Sequence, residues 1–296
     1  MDDQVARLVL GTAQLGMNYG VANTAGRPAP ATADALLDLA WKEGLAYLDT
    51  AQAYGESESV IGDYLARHPN CPIRVISKLD PALADADEAT ICAAVAASAK
   101  RLHGHLDAML LHDASMLTRW DTGLGSALRR CRDEEMFTTI GISVYTPDEF
   151  RQALTHDEIS LIQAPFNALD RTLYSDGLIG RAGQMGVSLH LRSIFLQGML
   201  LFDTDTLPPD LAFARTHVAD WRALCLRHDK APAEAALQFA ARTAPEARLV
   251  IGCETPDQLA GNIDYLRASP INPAICDDIM ALPPADERTI RPYLWN

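Results

Sequence analysis

The sequence is short of positive charge. Lys and Arg number 25 against 39 Asp and Glu, a formal net charge of −14 over 296 residues. That is the wrong sign for a surface that must neutralise nucleic-acid phosphates or anionic lipid, so nucleic-acid and membrane-surface binders are poor first readings. No uncharged apolar run approaches the roughly 18 residues a spanning helix needs. Met1-Asp2-Asp3-Gln4 has neither the basic start nor the apolar stretch of a secretory signal, and a cytoplasmic protein is expected. The six cysteines (Cys71, Cys92, Cys131, Cys225, Cys253, Cys276) form no C-x-x-C. Their scatter disfavours zinc ribbons, thioredoxin-type redox sites and a disulfide framework, and most are expected to be buried reduced thiols. Also missing is a G-x-G-x-x-G after a strand, so any dinucleotide has to be held without a Rossmann turn.

What is present is alternation. Eight short β-branched or Leu-rich runs, at 8–11, 46–49, 74–77, 108–111, 139–142, 161–163, 188–191 and 248–251, read as strands. Between them lie segments of helical period at 32–43, 57–67, 89–102, 124–133, 147–154, 177–185, 212–227 with 232–241, and 256–267. No Ser/Gly-rich linker, block of like charge or internal repeat breaks the pattern, so residues 1–296 are read as one domain. Eight βα units predict a (β/α)₈ barrel, whose chemistry sits where strands end and βα loops begin.

Those positions are polar: Asp49, Lys78, His112, Ser143, Gln163 and Arg192. Side chains alternate along a strand, so Asp49 shares a face with Tyr47, Lys78 with Ile76 and His112 with Leu110. The polar residue of each pair stands at the mouth above an apolar layer. Tyr54 follows Asp49 in the same loop. An ammonium such as Lys78 stabilises a phenolate and lowers a tyrosine pKa from about 10. Asp49 is a counterion for Lys78, and a neutral imidazole such as His112 can hold a carbonyl oxygen. Taken singly, the Asp–Lys pair is more often a structural ion pair, Tyr54 could simply pack against the start of the second helix, and His112 would be a satisfied core histidine like His190. Joint placement on consecutive strand ends favours a proton-transfer group.

These residues resemble the aldo/keto reductase family through most of the chain. The likeness runs through Leu10-Gly11-Thr12, Asp49-Thr50-Ala51 with Tyr54-Gly55 and Ser57-Glu58, Ser77-Lys78 and Leu110-Leu111-His112. It continues in Gly141-Ile142-Ser143, Gln163 with Asn167, and Ile251-Gly252 with Gln258-Leu259 and Asn262. The resemblance implies a barrel that binds NADP(H) and reduces a small-molecule carbonyl, an aldehyde or ketone, to an alcohol. It makes Tyr54 the proton donor, Asp49 and Lys78 its tuning pair, and His112 the group that orients the carbonyl. Ser143 and Gln163 match positions that hold the nicotinamide carboxamide. Ser193 matches a segment near the pyrophosphate, and Gln258 and Asn262 match adenine contacts after Gly252.

Three departures bear on that transfer. Arg192 stands where many members have an aromatic residue stacked on nicotinamide; a guanidinium can stack, hold a carboxamide or anionic substrate, or pair with a loop carboxylate. After Gly252 come Cys253-Glu254-Thr255-Pro256-Asp257-Gln258, with no basic residue for a 2′-phosphate. Glu254 would repel that group while the helix start would attract it, which makes NAD(H) a second candidate. Val144 replaces a frequent asparagine. Arg192-Ser193-Ile194-Phe195-Leu196-Gln197-Gly198 resembles a branch encoded beside carbohydrate-processing genes, which makes an oxidised sugar one candidate substrate. Trp120 and Tyr293-Leu294-Trp295 either line the pocket or pack ordinary loops.

Rival readings are a Schiff-base role for Lys78, which Asp49 opposes by keeping it protonated, and a metal pair at His103-Gly104-His105. The latter precedes the fourth strand, on the face away from the other groups, and reads as a polar loop. A regulatory subunit that binds a dinucleotide without turnover is the reading from a different class.

Overall fold

The fold is seen in a computed structural model that describes residues 3–295. Met1 and Asp2, part of the N-terminal segment read above, and Asn296 lie outside the described residues. Eight parallel strands pair in sequence order and close into a barrel, β1 against β8. They are β1 Leu8–Gly11, β2 Tyr47–Asp49, β3 Arg74–Leu79, β4 Leu106–Leu111, β5 Thr139–Ser143, β6 Leu161–Pro165, β7 Ser188–Arg192 and β8 Arg248–Gly252.

Several strands run further than the hydrophobic pattern. Pairing of Lys78 with Leu110 and Leu79 with Leu111 carries β3 two residues past Ser77, and Pro165 opposite Arg192 does the same for β6. Lys78, Ser143, Gln163 and Arg192 are therefore in-strand residues, held by ladder hydrogen bonds on rigid backbone. The helix expected at 32–43 begins at Pro30, a proline suited to the first helical position. The segment at 212–227 divides into a 3₁₀ turn, Pro209–Ala214, and an α-helix, Arg215–Arg227. The short helices Ala13–Gly16 and Thr172–Ser175, and the C-terminal Pro273–Ala281 and Glu287–Ile290, are not anticipated by the pattern.

Closure is fastened from both ends of the chain. The Arg7 guanidinium donates to the carbonyls of Ala241, Ala244 and Ala247 at 3.1, 2.7 and 3.0 Å, and Arg248 donates to Ala6 at 2.8 Å. Inside the barrel, Ile76, Ala108, Leu110 and Leu161 cluster with Tyr47, the apolar layer that alternation predicts beneath the polar mouth. The far end is stoppered: the Tyr47 ring lies between Arg74 and Arg248, each 4.7 Å from its centroid. His190 is buried edge-on to Tyr47. It is not the satisfied core histidine expected, because its Nδ1 has no partner, and burial lowers its pKa to about 3. Among the described residues no helix is long and apolar enough to cross a membrane.

Candidate active site

The mouth is organised around one ion pair. Asp49 ends β2 and Lys78 lies in β3, 4% and 1% exposed. The ammonium donates to Asp49 Oδ1 at 2.9 Å, to Asp49 Oδ2 at 2.7 Å and to the Thr50 carbonyl at 2.9 Å, which uses all three of its N–H groups. Burial lowers the Lys78 pKa and the Asp49 charge opposes that. Gln163 Nε2 donates to Asp49 Oδ1 at 2.7 Å. Three acceptors around one ammonium fit a cation in a fixed position and speak against a Schiff-base nucleophile.

Tyr54 is brought over this pair by its loop. A Cβ on Gly16 would lie 1.8 Å from the Tyr54 carbonyl, and one on Gly55 would lie 2.5 Å from the Gly16 carbonyl. Two glycines thus let the first and second βα loops cross in contact, and Gly55 at φ +55° turns the chain in the region that favours glycine. Ser57 Oγ donates to the Thr12 carbonyl at 2.8 Å and accepts from Thr50 Oγ1 at 2.9 Å. The buried Glu58 carboxylate accepts from Ser77 Oγ at 2.6 Å, Ser98 Oγ at 3.1 Å and Arg101 Nε at 2.9 Å. The polar residues that follow Tyr54 in its motif therefore fix the loop to the residues just past β1 and β2, to β3 and to the helix Glu88–Arg101.

The Tyr54 ring meets His112 edge-on, with centroids 5.6 Å apart, and Lys78 Nζ lies 5.0 Å from its centroid. Burial, then the Asp49 charge, push the Tyr54 pKa up, and Arg192 is the cation that pulls it down. This corrects the expectation of a lowered value: removal from water outweighs the cations around the ring. Burial, then the Lys78 charge, lower the His112 pKa to about 4, so the imidazole is neutral. Its Nδ1 is buried without a partner. A proton there would be an orphaned donor, so the tautomer with Nε2–H is favoured.

On the adjoining side, Ser143 Oγ and Gln163 Oε1 have no hydrogen-bond partner among the described residues. One can donate and the other accept, the complement of a carboxamide. Val144 keeps a part through its backbone, donating its N–H to the Gln163 carbonyl at 2.9 Å and accepting from Arg192 Nη2 at 3.0 Å. Arg192 lies over Tyr145, Cζ 4.2 Å from the ring centroid, and Nη1 donates to Ser193 Oγ at 3.3 Å. No carboxylate among the described residues pairs with it, which removes the loop ion pair from the alternatives. The Ser193 carbonyl accepts from Asn167 at 3.2 Å.

Gly252 ends β8 beside Gln14, whose amide donates to the Gly11 and Cys253 carbonyls at 2.8 and 2.7 Å. Gln258 and Asn262 lie on the helix Pro256–Arg267. Gln258 Oε1 accepts from the Glu254 N–H at 2.7 Å. Asn262 is buried, 3.5 Å from Cys253 Sγ, a thiol that burial pushes up to about 12. Trp120 packs edge-on against His156, and Trp295 lies tilted against Phe213. His105 Nδ1 lies 2.9 Å from the Ile73 carbonyl. Two aromatics at the mouth escape the strand-end reading. Tyr145 joins Arg192 to Tyr293, 4.9 Å away; Tyr19, 41% exposed, accepts from Gln197 Nε2 at 3.5 Å. Both follow strand ends in βα loops, the signal by which they could have been found.

Comparisons with known proteins bear on the family and the fold. A profile described as the aldo/keto reductase family matches residues 7–282. A D-threo-aldose 1-dehydrogenase from a Pseudomonas species is 26% identical over 88% of this chain and 92% of its own. A pyridoxal 4-dehydrogenase from Microbacterium luteolum is 24% identical over 90% of each. Among solved structures, an aldo-keto reductase from Bacillus halodurans in its holo form superposes with a TM-score of 0.73 at 22% identity, covering 96% of this chain and 95% of that one. A glycerol dehydrogenase from Gluconobacter oxydans gives 0.68 at 20% identity, over 95% and 94%.

Proposed function

The chain belongs to the aldo/keto reductase family and is an NAD(P)H-dependent oxidoreductase; from that premise we propose that it reduces an aldehyde or ketone to the alcohol with Tyr54 as general acid. The observation that carries the reading is the convergence of Asp49, Tyr54, Lys78 and His112 from three consecutive strand ends and one loop. When bound, the dinucleotide supplies the hydride. His112 Nε2–H donates to the carbonyl oxygen and orients it. Burial and Asp49 keep the Tyr54 hydroxyl protonated, and it gives its proton to that oxygen as negative charge develops there. Lys78 holds the Asp49 carboxylate in place beneath the ring, and the Arg192 charge favours the phenolate left behind.

Ser143 and Gln163 suit the carboxamide. Arg192 borders that position, while Ser193, Gly252, Gln258 and Asn262 continue the site toward the pyrophosphate and adenosine. At the adenosine end Glu254 and Asp257 flank the helix start, with Glu254 Oε2 3.4 Å from Gln258 Nε2, and residues 252–258 include no cation. That charge balance suits the hydroxyls of NAD(H) better than the dianion of NADP(H). The test is Tyr54→Phe, assayed on reactive aldehydes and titrated with NADH and NADPH through tryptophan fluorescence. Dinucleotide affinity is expected to survive, tighter for NADH, while turnover falls by about 10²–10⁴-fold. Turnover equal to the parent protein would overturn the assignment of the acid.

A further inference from the structure

One charge at the mouth has no counterion. Lys78 is neutralised by Asp49, and His112 is neutral. Asp113, the acidic residue beside His112, makes its hydrogen bonds to the N–H and hydroxyl of Ser115 and forms no ion pair with Arg192. Arg192 remains, half-buried at the end of β7, with no carboxylate partner among the described residues. Its electrostatic influence reaches Tyr54, Lys78, His112 and Tyr19, which places the surplus cation among the reacting groups.

Arg192 is also held still. Tyr145 covers one face at 4.2 Å, Val144 O fixes Nη2 at 3.0 Å and Ser193 Oγ fixes Nη1 at 3.3 Å. Tyr145 is itself braced by Tyr293. Two of the five N–H groups are engaged and three remain, in the fork geometry that matches a carboxylate. A guanidinium that only stacked beneath a nicotinamide would need no such anchoring of its edge, and a protein of net charge −14 gains nothing from an unpaired cation in its mouth unless an anion arrives there.

We propose that Arg192 recognises a carboxylate on the substrate, so that the preferred carbonyl compounds are oxo acids. The inference rests on the reductase reading for the carbonyl and goes beyond it in naming the second functional group. Because the fork is fixed before the substrate arrives, little ordering cost is left for binding, and selectivity should appear mainly in KM.

Two matched pairs test this: glyoxylate against glycolaldehyde, and succinic semialdehyde against butanal. Steady-state kinetics and calorimetric Kd values, the latter with oxidised dinucleotide so that nothing turns over, are compared for the parent protein, Arg192→Met and Arg192→Lys. The carboxylate member of at least one pair is expected to be favoured by about tenfold or more in kcat/KM and in Kd. That preference should vanish in Arg192→Met and persist in part in Arg192→Lys, which keeps the charge and loses the fork. A preference unchanged in Arg192→Met, or one for the neutral members, overturns the proposal. Arg192-dependent binding without turnover of any carbonyl would uphold the anion site and sink the reductase reading; turnover without an Arg192-dependent preference would do the reverse.

Discussion

Tyr54 and His112 are moved away from neutrality in opposite senses by the same cause, removal from water. The acid stays protonated into alkaline solution and the imidazole stays neutral into acid. The rate of reduction should therefore be level from about pH 5 to pH 9, with no inflection near the ordinary histidine value, and a kcat profile over that range checks it. Stability follows a different course. His112 and His190 have folded pKa values of about 4 and 3, below the roughly 6.5 of the unfolded chain. Unfolding therefore takes up protons once the pH drops below about 6.5, and the stability present above it is lost on descent toward pH 3–4. Denaturant midpoints at pH 7 and pH 4 should fall in that order. At this scale much was legible. Asp49, Lys78 and His112 lie where strand alternation puts them, whereas Tyr19 and Tyr145 lie in loops that carry no period, and the orphaned nitrogen of His190 depends on neighbours from other strands.

Among the elements, the crossing of the first two βα loops decides where the acid stands. Gly16→Ala puts a methyl group 1.8 Å from the Tyr54 carbonyl, so the loop must shift. A loss of about 1–3 kcal/mol in stability is expected. Turnover should fall much further, by up to about 10²-fold, because an ångström of misplacement separates proton from oxygen. Thermal melts and kcat measured on the same sample separate the two effects; full kcat would show that the loop does not place Tyr54. The motif around Tyr54 could be recognised from the sequence, but the reason for Ser57 and Glu58 could not. Their partners, Thr12, Ser77, Ser98 and Arg101, come from three other elements. Strand ends were misread for a related reason: β3 continues through Lys78 and Leu79 because β4 is there to pair with it.

For the molecule as a whole, the C-terminal segment is locked to the barrel by one buried ion pair, Arg291 with Asp170 at 2.6 Å, 5% and 1% exposed at the side chain. Asp170 also accepts from Thr172 Oγ1 at 2.7 Å. Arg291→Met would strand a buried carboxylate and cost about 3–5 kcal/mol, measurable as a lowered denaturant midpoint. The same change loosens Tyr293 from Tyr145, so kinetic parameters should move with it. Nothing in the pattern announces this pair, because two charged residues 121 positions apart carry no local signal, whereas eight alternating βα units announced the barrel.

Closure by Arg7 across 240 positions sets a schedule for biosynthesis. On a ribosome adding about 5–20 residues per second, β1 waits roughly 10–50 s for β8 to emerge. Through that interval the growing sheet has two open edges, each a template for a second chain. Expression yield should then depend on chaperone supply and translation rate more than on the stability of the finished protein.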